Sequence, residues 1–313
     1  MSIYAERSKR ILLEGQINPQ NEKLYNQYKR AMTIKGLSDK TIYAYETDLM
    51  AWFRFMHSQQ FDLLVTDATE DDLEEFFYYC QTQGNNANRI KRRMSSISAF
   101  YIFLKKKKIL RDNPIEMLDR PTNAKPVTIQ TYLTMDQVQL MKEKLKEQGD
   151  ILLETYALFS LSTMARVNAI SSVKWKQINF DTREVVDVIE KGDKVTNLYF
   201  SEEVKELLLK LKRERESKGI ECEYVFAVNY RGTWQGVRPS TLHSWCKKVG
   251  ELINSPLHPH DFRHSGATLL KNMGMALEDV STLLNHQGTD VTRKHYIKED
   301  KTKLQGIKDK FGI

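Results

Sequence analysis

Six side chains, in chain order Arg166, Lys191, His260, Arg263, His286 and Tyr296, are of types that together could act on a phosphodiester. Guanidinium groups stay charged at physiological pH and bind phosphate oxygens through two parallel N–H donors. A tyrosine phenol has a pKa of about 10, so roughly one in a thousand is ionised at pH 7. A cage of cations lowers the cost of the phenolate and also neutralises the non-bridging oxygens of a phosphodiester under attack. The phenolate is then a nucleophile that can bond to phosphorus. Taken singly, each residue also has an ordinary reading: Arg166 as a surface or ion-paired arginine, Lys191 as a turn lysine, Tyr296 as a packed aromatic. His258, His260 and His264 lie close together and raise the question of a metal, but no Cys, Asp or Glu cluster with zinc spacing accompanies them, so no metal is expected.

Such a set needs elements to hold it. Arg166 follows a predicted helix, Ile151–Thr163, in the segment Thr163-Met164-Ala165-Arg166-Val167, before another helix begins. Lys191 lies in a turn, Lys191-Gly192-Asp193-Lys194, between predicted strands Val185–Ile189 and Val195–Phe200. A shorter strand around Ile178 and Phe180 precedes them across Asp181-Thr182-Arg183. His260 and Arg263 enter a helix that continues through Ala267, Leu269 and Leu270, and His286 follows one containing Val280, Leu283 and Leu284. Thr134-Met135-Asp136-Gln137 reads as a capping box opening this half of the chain. Beyond Tyr296, Leu304, Ile307 and Phe311 recur at helical spacing in a short basic tail.

The first half reads as four helices. Glu22–Ile34 is the first; the second is capped by Ser38 and runs through Ile42, Tyr45, Leu49, Trp52, Phe53 and Met56. The third is capped by Thr69, with Glu70, Asp71 and Asp72 suiting its N-terminal dipole. From Asn85 to Arg111 there is no acidic residue, while Arg89, Lys91, Arg92, Arg93, Lys105, Lys106, Lys107, Lys108 and Arg111 are basic. Ile90, Met94, Ile97, Tyr101 and Leu104 recur at three- and four-residue steps in the same segment, so Asn86–Leu104 is expected to be an amphipathic helix with a cationic face. A solvated surface helix would look the same, but unbroken positive charge over this length favours a nucleic-acid surface. Asn113-Pro114, Arg120-Pro121 and Lys125-Pro126 then mark a linker. The expected division is an N-terminal extension over 1–20, a helical domain over 21–120, a linker over 121–130 and a second domain over 131–313.

Composition narrows the class. The chain has 313 residues with 48 Lys+Arg against 41 Asp+Glu, a formal net charge of +7, and 41% hydrophobic residues. That length suits two domains, each with its own core. The 7 prolines and 14 glycines exclude collagen-like and wholly disordered classes. A mean hydropathy of -0.53 and no apolar run near 18 residues argue against a membrane span. Cys80, Cys222 and Cys246 make no disulfide framework, and the N-terminus has no secretory pattern, so a reducing cytoplasmic compartment is expected.

In order and spacing, Arg166, Lys191, His260/Arg263, His286 and Tyr296 resemble the tyrosine recombinase (phage integrase) family, from about residue 22 to the C-terminus. With some twenty residues before the first helix, the chain resembles the Xer-type or mobile-element members without a separate arm-binding domain. The resemblance implies a mainly α, two-domain clamp: a helical SAM-like core-binding domain whose basic helix contacts DNA, probed in the major groove by Arg89, Lys91, Arg92, Arg93 and Lys105–Lys108, and a mostly helical catalytic domain with a small antiparallel sheet. It implies that Tyr296 forms a covalent 3′-phosphotyrosine, that Lys191 protonates the leaving 5′-oxygen, that His260 assists proton transfer and that His286 hydrogen-bonds the phosphate. No cofactor is required, because the phosphotyrosine conserves the bond energy. The implied partners are double-stranded DNA with inverted half-sites and further copies of the chain, dimer to tetramer, joined through the C-terminal tail.

Three positions depart from the family pattern. Met164 stands where Thr-Gly-x-Arg has glycine, and could displace Arg166 if that glycine supplies a special backbone angle. Ala169 stands where an acid usually supports the first arginine, and Asn285 replaces the glycine before His286. Two readings follow: a site-specific DNA recombinase, and a DNA-binding regulator on the same scaffold that no longer cuts. A nuclease or topoisomerase with similar tyrosine chemistry ranks below both. Retention of the full set of six favours the recombinase.

Overall fold

The computed structural model describes residues 14–122, 132–190 and 194–285. The chain divides into two compact units, Met1–Thr128 and Ile129–Ile313.

Four helices build the first unit: α1 (Pro19–Ile34), α2 (Asp39–Gln59), α3 (Glu70–Thr82) and α4 (Ala87–Lys106). Each begins where a side chain can accept one of the unpaired N–H groups of the first turn, at Asn18, Ser38, Thr69 and Asn86. At α3 the cap is reciprocal, since Asp72 accepts from the Thr69 amide at 2.8 Å. Helix α1 starts three residues before the expected Glu22, because Asn18 caps it and Pro19 suits the first helical position. The core is aromatic, with Trp52, Phe53, Phe55, Phe76, Phe100 and Tyr101 fully enclosed. A buried Asn21 pins the α2–α3 connection by donating to the Leu63 carbonyl and accepting from the Val65 amide. The Tyr101 hydroxyl donates to the Val65 carbonyl at 3.0 Å.

The second unit runs α5 (Met135–Gln148), α6 (Ile151–Thr163), α7 (Val167–Ser172), β1 (Ile178–Asn179), β2 (Glu184–Glu190), β3 (Lys194–Tyr199), α8 (Glu202–Ser217), β4 (Ala227–Tyr230), β5 (Thr233–Gly236), α9 (Pro239–Leu252), α10 (Pro259–Asn272) and α11 (Leu277–Leu283). The expected capping box, Thr134 with Gln137, opens α5. Helix α6 is apolar on every side and runs through the centre. Its Tyr156 meets Phe226, Trp245 and Phe262 edge-on and donates to the Leu242 carbonyl at 3.0 Å, which ties α6 to α9.

Strands β1, β2 and β3 form the expected antiparallel sheet, in that order. The β2–β3 register shifts between Val185 and Val188, and Asp187 takes a φ of 53°. This bulge changes which side chains of β2 face inward: Val185, Val188 and Glu190 are buried, and Ile189 is exposed. A second hairpin, β4–β5, was not among the expected elements. Its connection is Arg231-Gly232, both at positive φ (52° and 85°), as a tight turn between twisted strands requires. Among the described residues no helix is long and apolar enough to cross a membrane.

Candidate active site

Arg166 is placed by the break between α6 and α7. The apolar run ends at Thr163, and Met164 closes α6 in a left-handed conformation (φ 53°, ψ 24°), its amide bonded to the Ser160 carbonyl at 3.1 Å. A non-glycine residue there costs roughly 1–2 kcal/mol. The Met164 side chain offsets this by packing, buried, with Ala267, Val280 and Leu284. Met164 thus holds a left-handed backbone angle of the kind a glycine takes without strain. The space beside it is tight. A Cβ on Gly266 would stand 2.6 Å from the Leu161 carbonyl oxygen and 2.6 Å from Met164 Cγ, so glycine is what lets α10 approach α6.

Arg166 then forms the N-cap of α7, its side chain 34% exposed and its Nη1 bonded to the Glu190 carboxylate at the end of β2. On α10, Arg263 is only 1% exposed. Its Nη1 donates to the Met164 carbonyl at 2.6 Å and its Nη2 to the Leu284 carbonyl at 2.5 Å. The two terminal nitrogens of the fork, expected on a phosphate, are thus each engaged by a backbone carbonyl. One carbonyl belongs to the turn that delivers Arg166, the other to the residue capping α11, two positions before His286.

His260 lies one turn before Arg263, exposed at the surface of α10, with its ring edge-on to His264 at a centroid distance of 4.7 Å. Burial, then the charges of Arg263 and Arg166, hold its pKa below the ordinary imidazole value. His260 is therefore neutral at pH 7 and able to accept a proton. The same shift makes the folded state bind fewer protons than the unfolded chain, so stability should fall as pH drops below about 6.5. Melting temperatures of wild type and His260→Asn from pH 7.5 to 5.5 check this: wild type should lose more, and parallel curves would contradict it.

Thr196 on β3 donates to Asn285 Oδ1 at 2.7 Å, which ties the hairpin to the residue before His286. Asn285 has a φ of 52°, a left-handed angle that asparagine tolerates, so it serves where the family pattern has glycine. Lys191, His286 and Tyr296 lie outside the described residues, as does the tail with Leu304, Ile307 and Phe311. Arg166, His260 and Arg263 are brought together, and the described chain reaches Glu190 and Asn285, the immediate neighbours of Lys191 and His286. Among the described residues no group of three or more His, Cys, Asp or Glu is arranged to hold a metal ion. Reading the sequence alone misses two members of the site: Glu190 and the carbonyl-holding role of Arg263.

The cationic helix needs one correction. Arg89 is exposed, Lys91 and Lys105 are partly exposed, and Lys106, Lys107 and Lys108 are exposed. Arg93 is not on that face: it is 2% exposed, lying over the Phe76 ring, with Nη1 on Cys80 Sγ at 3.3 Å and Nε 3.7 Å from Asp48. Arg92 is half exposed but bonded to Asp48 at 2.7 Å. Consecutive basic residues span more than one face of a helix, so one of them had to turn inward.

Residues 131–303 match the family model described as Phage integrase family, and residues 26–108 match the one described as Phage integrase, N-terminal SAM-like domain. The chain is 28% identical over 279 residues to Tyrosine recombinase XerC of Leptospira interrogans serogroup Icterohaemorrhagiae serovar Lai, covering 87% of each. It is 26% identical over 292 residues to Tyrosine recombinase XerC of Pediococcus pentosaceus, covering 90% of this chain and 95% of that one. Among solved structures, XerH site-specific recombinase bound to palindromic difH substrate, a post-cleavage complex, is similar with a TM-score of 0.74 at 17% identity, over 94% of this chain and 85% of that chain. The Tn1549 transposon integrase in complex with transposon right end DNA gives 0.72 at 16% identity, over 93% and 99%.

Proposed function

The chain belongs to the phage integrase family, and from that membership we propose that it is a site-specific DNA recombinase working through a covalent 3′-phosphotyrosine on Tyr296. The Tyr296 phenolate oxygen attacks the scissile phosphorus, the bond to the 5′-oxygen breaks, and that oxygen leaves as a hydroxyl after taking a proton. Rejoining is the reverse, with a 5′-hydroxyl expelling the tyrosine. The observation that carries this reading is the meeting of Arg166, His260 and Arg263, with Lys191 and His286 each one residue beyond a described neighbour.

Within that scheme Arg166 binds the non-bridging oxygens as charge develops, and neutral His260 takes or relays a proton. Lys191 supplies the leaving oxygen's proton and His286 bonds the phosphate. The partner is double-stranded DNA with inverted half-sites, consistent with solved neighbours whose names describe DNA-bound dimers and a tetramer. Copies join through the tail after Tyr296, a reading supported by the helical spacing of Leu304, Ile307 and Phe311 in the sequence. Arg89, Lys91 and Lys105–Lys108 contribute phosphate contacts, with a correspondingly steep salt dependence.

Suicide DNA substrates, nicked beside a candidate cleavage site taken from sequence flanking the gene, test the reading. The expected product is a protein–DNA adduct that survives denaturing gels and whose DNA-bearing peptide maps to Tyr296. Specific binding without any adduct on bound sites would replace the recombinase with a regulator that does not cut.

A further inference from the structure

Glu190 is the unexplained member of the site. Its side chain is 4% exposed, yet only one of its oxygens is used, by the Arg166 guanidinium. The other, Oε1, is buried with no hydrogen-bond partner among the described residues. A half-satisfied buried carboxylate is a cost to folding. Its presence therefore calls for an explanation other than stability. Nor is its inward direction a default of the strand, because the bulge at Val186–Asp187 is what turns Val188 and Glu190 to the buried side.

Arg166 supplies the other half of the argument. A long, partly exposed arginine has many rotamers, so a phosphate would find it preorganised only if something holds it. Helix α7 offers no acid for this: its residues are Val167, Asn168, Ala169, Ile170, Ser171 and Ser172, and Ala169 is a buried apolar side chain. The holding carboxylate comes instead from the end of β2. We propose that Glu190 is a positioning residue that fixes the Arg166 guanidinium for the scissile phosphate. It does from the hairpin what an acid on α7 could otherwise do. This rests on the recombinase reading above.

Glu190 also adjoins Lys191, so the test must separate action through Arg166 from action through the proton donor. Wild type, Glu190→Gln and Glu190→Asp are compared for DNA affinity, melting temperature and single-turnover adduct formation. Two suicide substrates are used, one with ordinary DNA and one with a 5′-bridging phosphorothioate, whose sulfur leaves without needing a proton. Glu190→Gln should slow adduct formation by about 10–100-fold, the usual loss when a supporting partner is removed. Affinity should stay the same, the melting temperature should not fall, the slow rate should persist on the phosphorothioate, and Glu190→Asp should recover part of it. Rescue by the phosphorothioate would overturn the proposal in favour of action through Lys191. An unchanged rate, or a rate that falls only together with the melting temperature, would overturn it outright. A wild-type protein that binds but forms no adduct removes the recombinase reading and this proposal with it; a wild-type adduct with an unaffected Glu190→Gln removes this proposal alone.

Discussion

Arg263→Ala should lose stability and strand cleavage together, and Arg263→Lys should lose most of the cleavage while keeping part of the stability. The Arg263 guanidinium is enclosed in the second unit and bonds the Met164 and Leu284 carbonyls from its two terminal nitrogens. Truncation leaves two buried carbonyls unpaired and a cavity beneath α10, which costs about 3–5 kcal/mol. Lysine keeps the charge, but a single ammonium cannot reproduce a fork set across two carbonyls from different elements. One of those carbonyls would be left unpaired, at about 1–3 kcal/mol. The chemical loss should be larger than the stability loss. Met164 carries the strained turn that delivers Arg166, and Leu284 lies two residues before His286 in sequence, so releasing either carbonyl loosens the backbone beside groups that the proposed mechanism brings to one phosphate. Removing one preorganised donor commonly costs about 100–1000-fold in rate, and here the displacement affects more than one. Thermal melts and single-turnover adduct formation measure the two losses separately. Arg263→Lys matching wild type in both would show that neither carbonyl bond matters.

The parts of the site that local sequence could reveal are those whose geometry is set locally. Helix α6 ends where its apolar run ends, so Arg166 was expected at a helix break, and it is there. The caps at Ser38, Thr69 and Thr134 follow from side-chain oxygens placed three residues before the amides they satisfy. The strands flanking Lys191 follow from β-branched runs separated by polar turns. What was not legible depends on partners distant in sequence or on a break in period. Glu190 faces inward because of a bulge, which a strict two-residue alternation from Val185 would not reveal. The β4–β5 hairpin was missed because its strands are only four residues each, although Arg231-Gly232 between Tyr230 and Thr233 is a usable turn signal. Met164 looks like a defect beside a family pattern with glycine. Only the facing surface of Gly266, Ala267, Val280 and Leu284 shows that its side chain fills a place. Arg93 is the sharpest example: three residues after Ile90 and four before Ile97, it shares the apolar face of its helix, a position that a count of basic residues conceals.

That burial leads to the largest expected loss in the first unit. Asp48 on α2 is fully enclosed and serves three groups of α4: Arg92 Nη2 at 2.7 Å, Ser96 Oγ at 2.8 Å and Arg93 Nε at 3.7 Å. Burial pushes its carboxyl above the ordinary range, while Ser96 and the charges of Arg92, Arg93 and Arg89 pull it back. Arg92 can return to water when Asp48 is removed, but Arg93 cannot, because it lies between Cys80, Phe76 and the core. Asp48→Ala should therefore destabilise the unit by about 3–5 kcal/mol, the cost of stranding a buried charge. The pair as a whole should be worth far less than either half implies, since replacing both partners with apolar residues removes the stranded charge as well as the bond. Asp48→Leu with Arg93→Met should thus recover most of what Asp48→Ala loses. Hydrogen exchange of the full chain under native conditions reads this locally, through peptides from α2 and α4. Protection should drop sharply in Asp48→Ala and return in the double variant. Equal loss in both would mean that the charge pair itself, rather than the stranding of Arg93, holds α2 to α4.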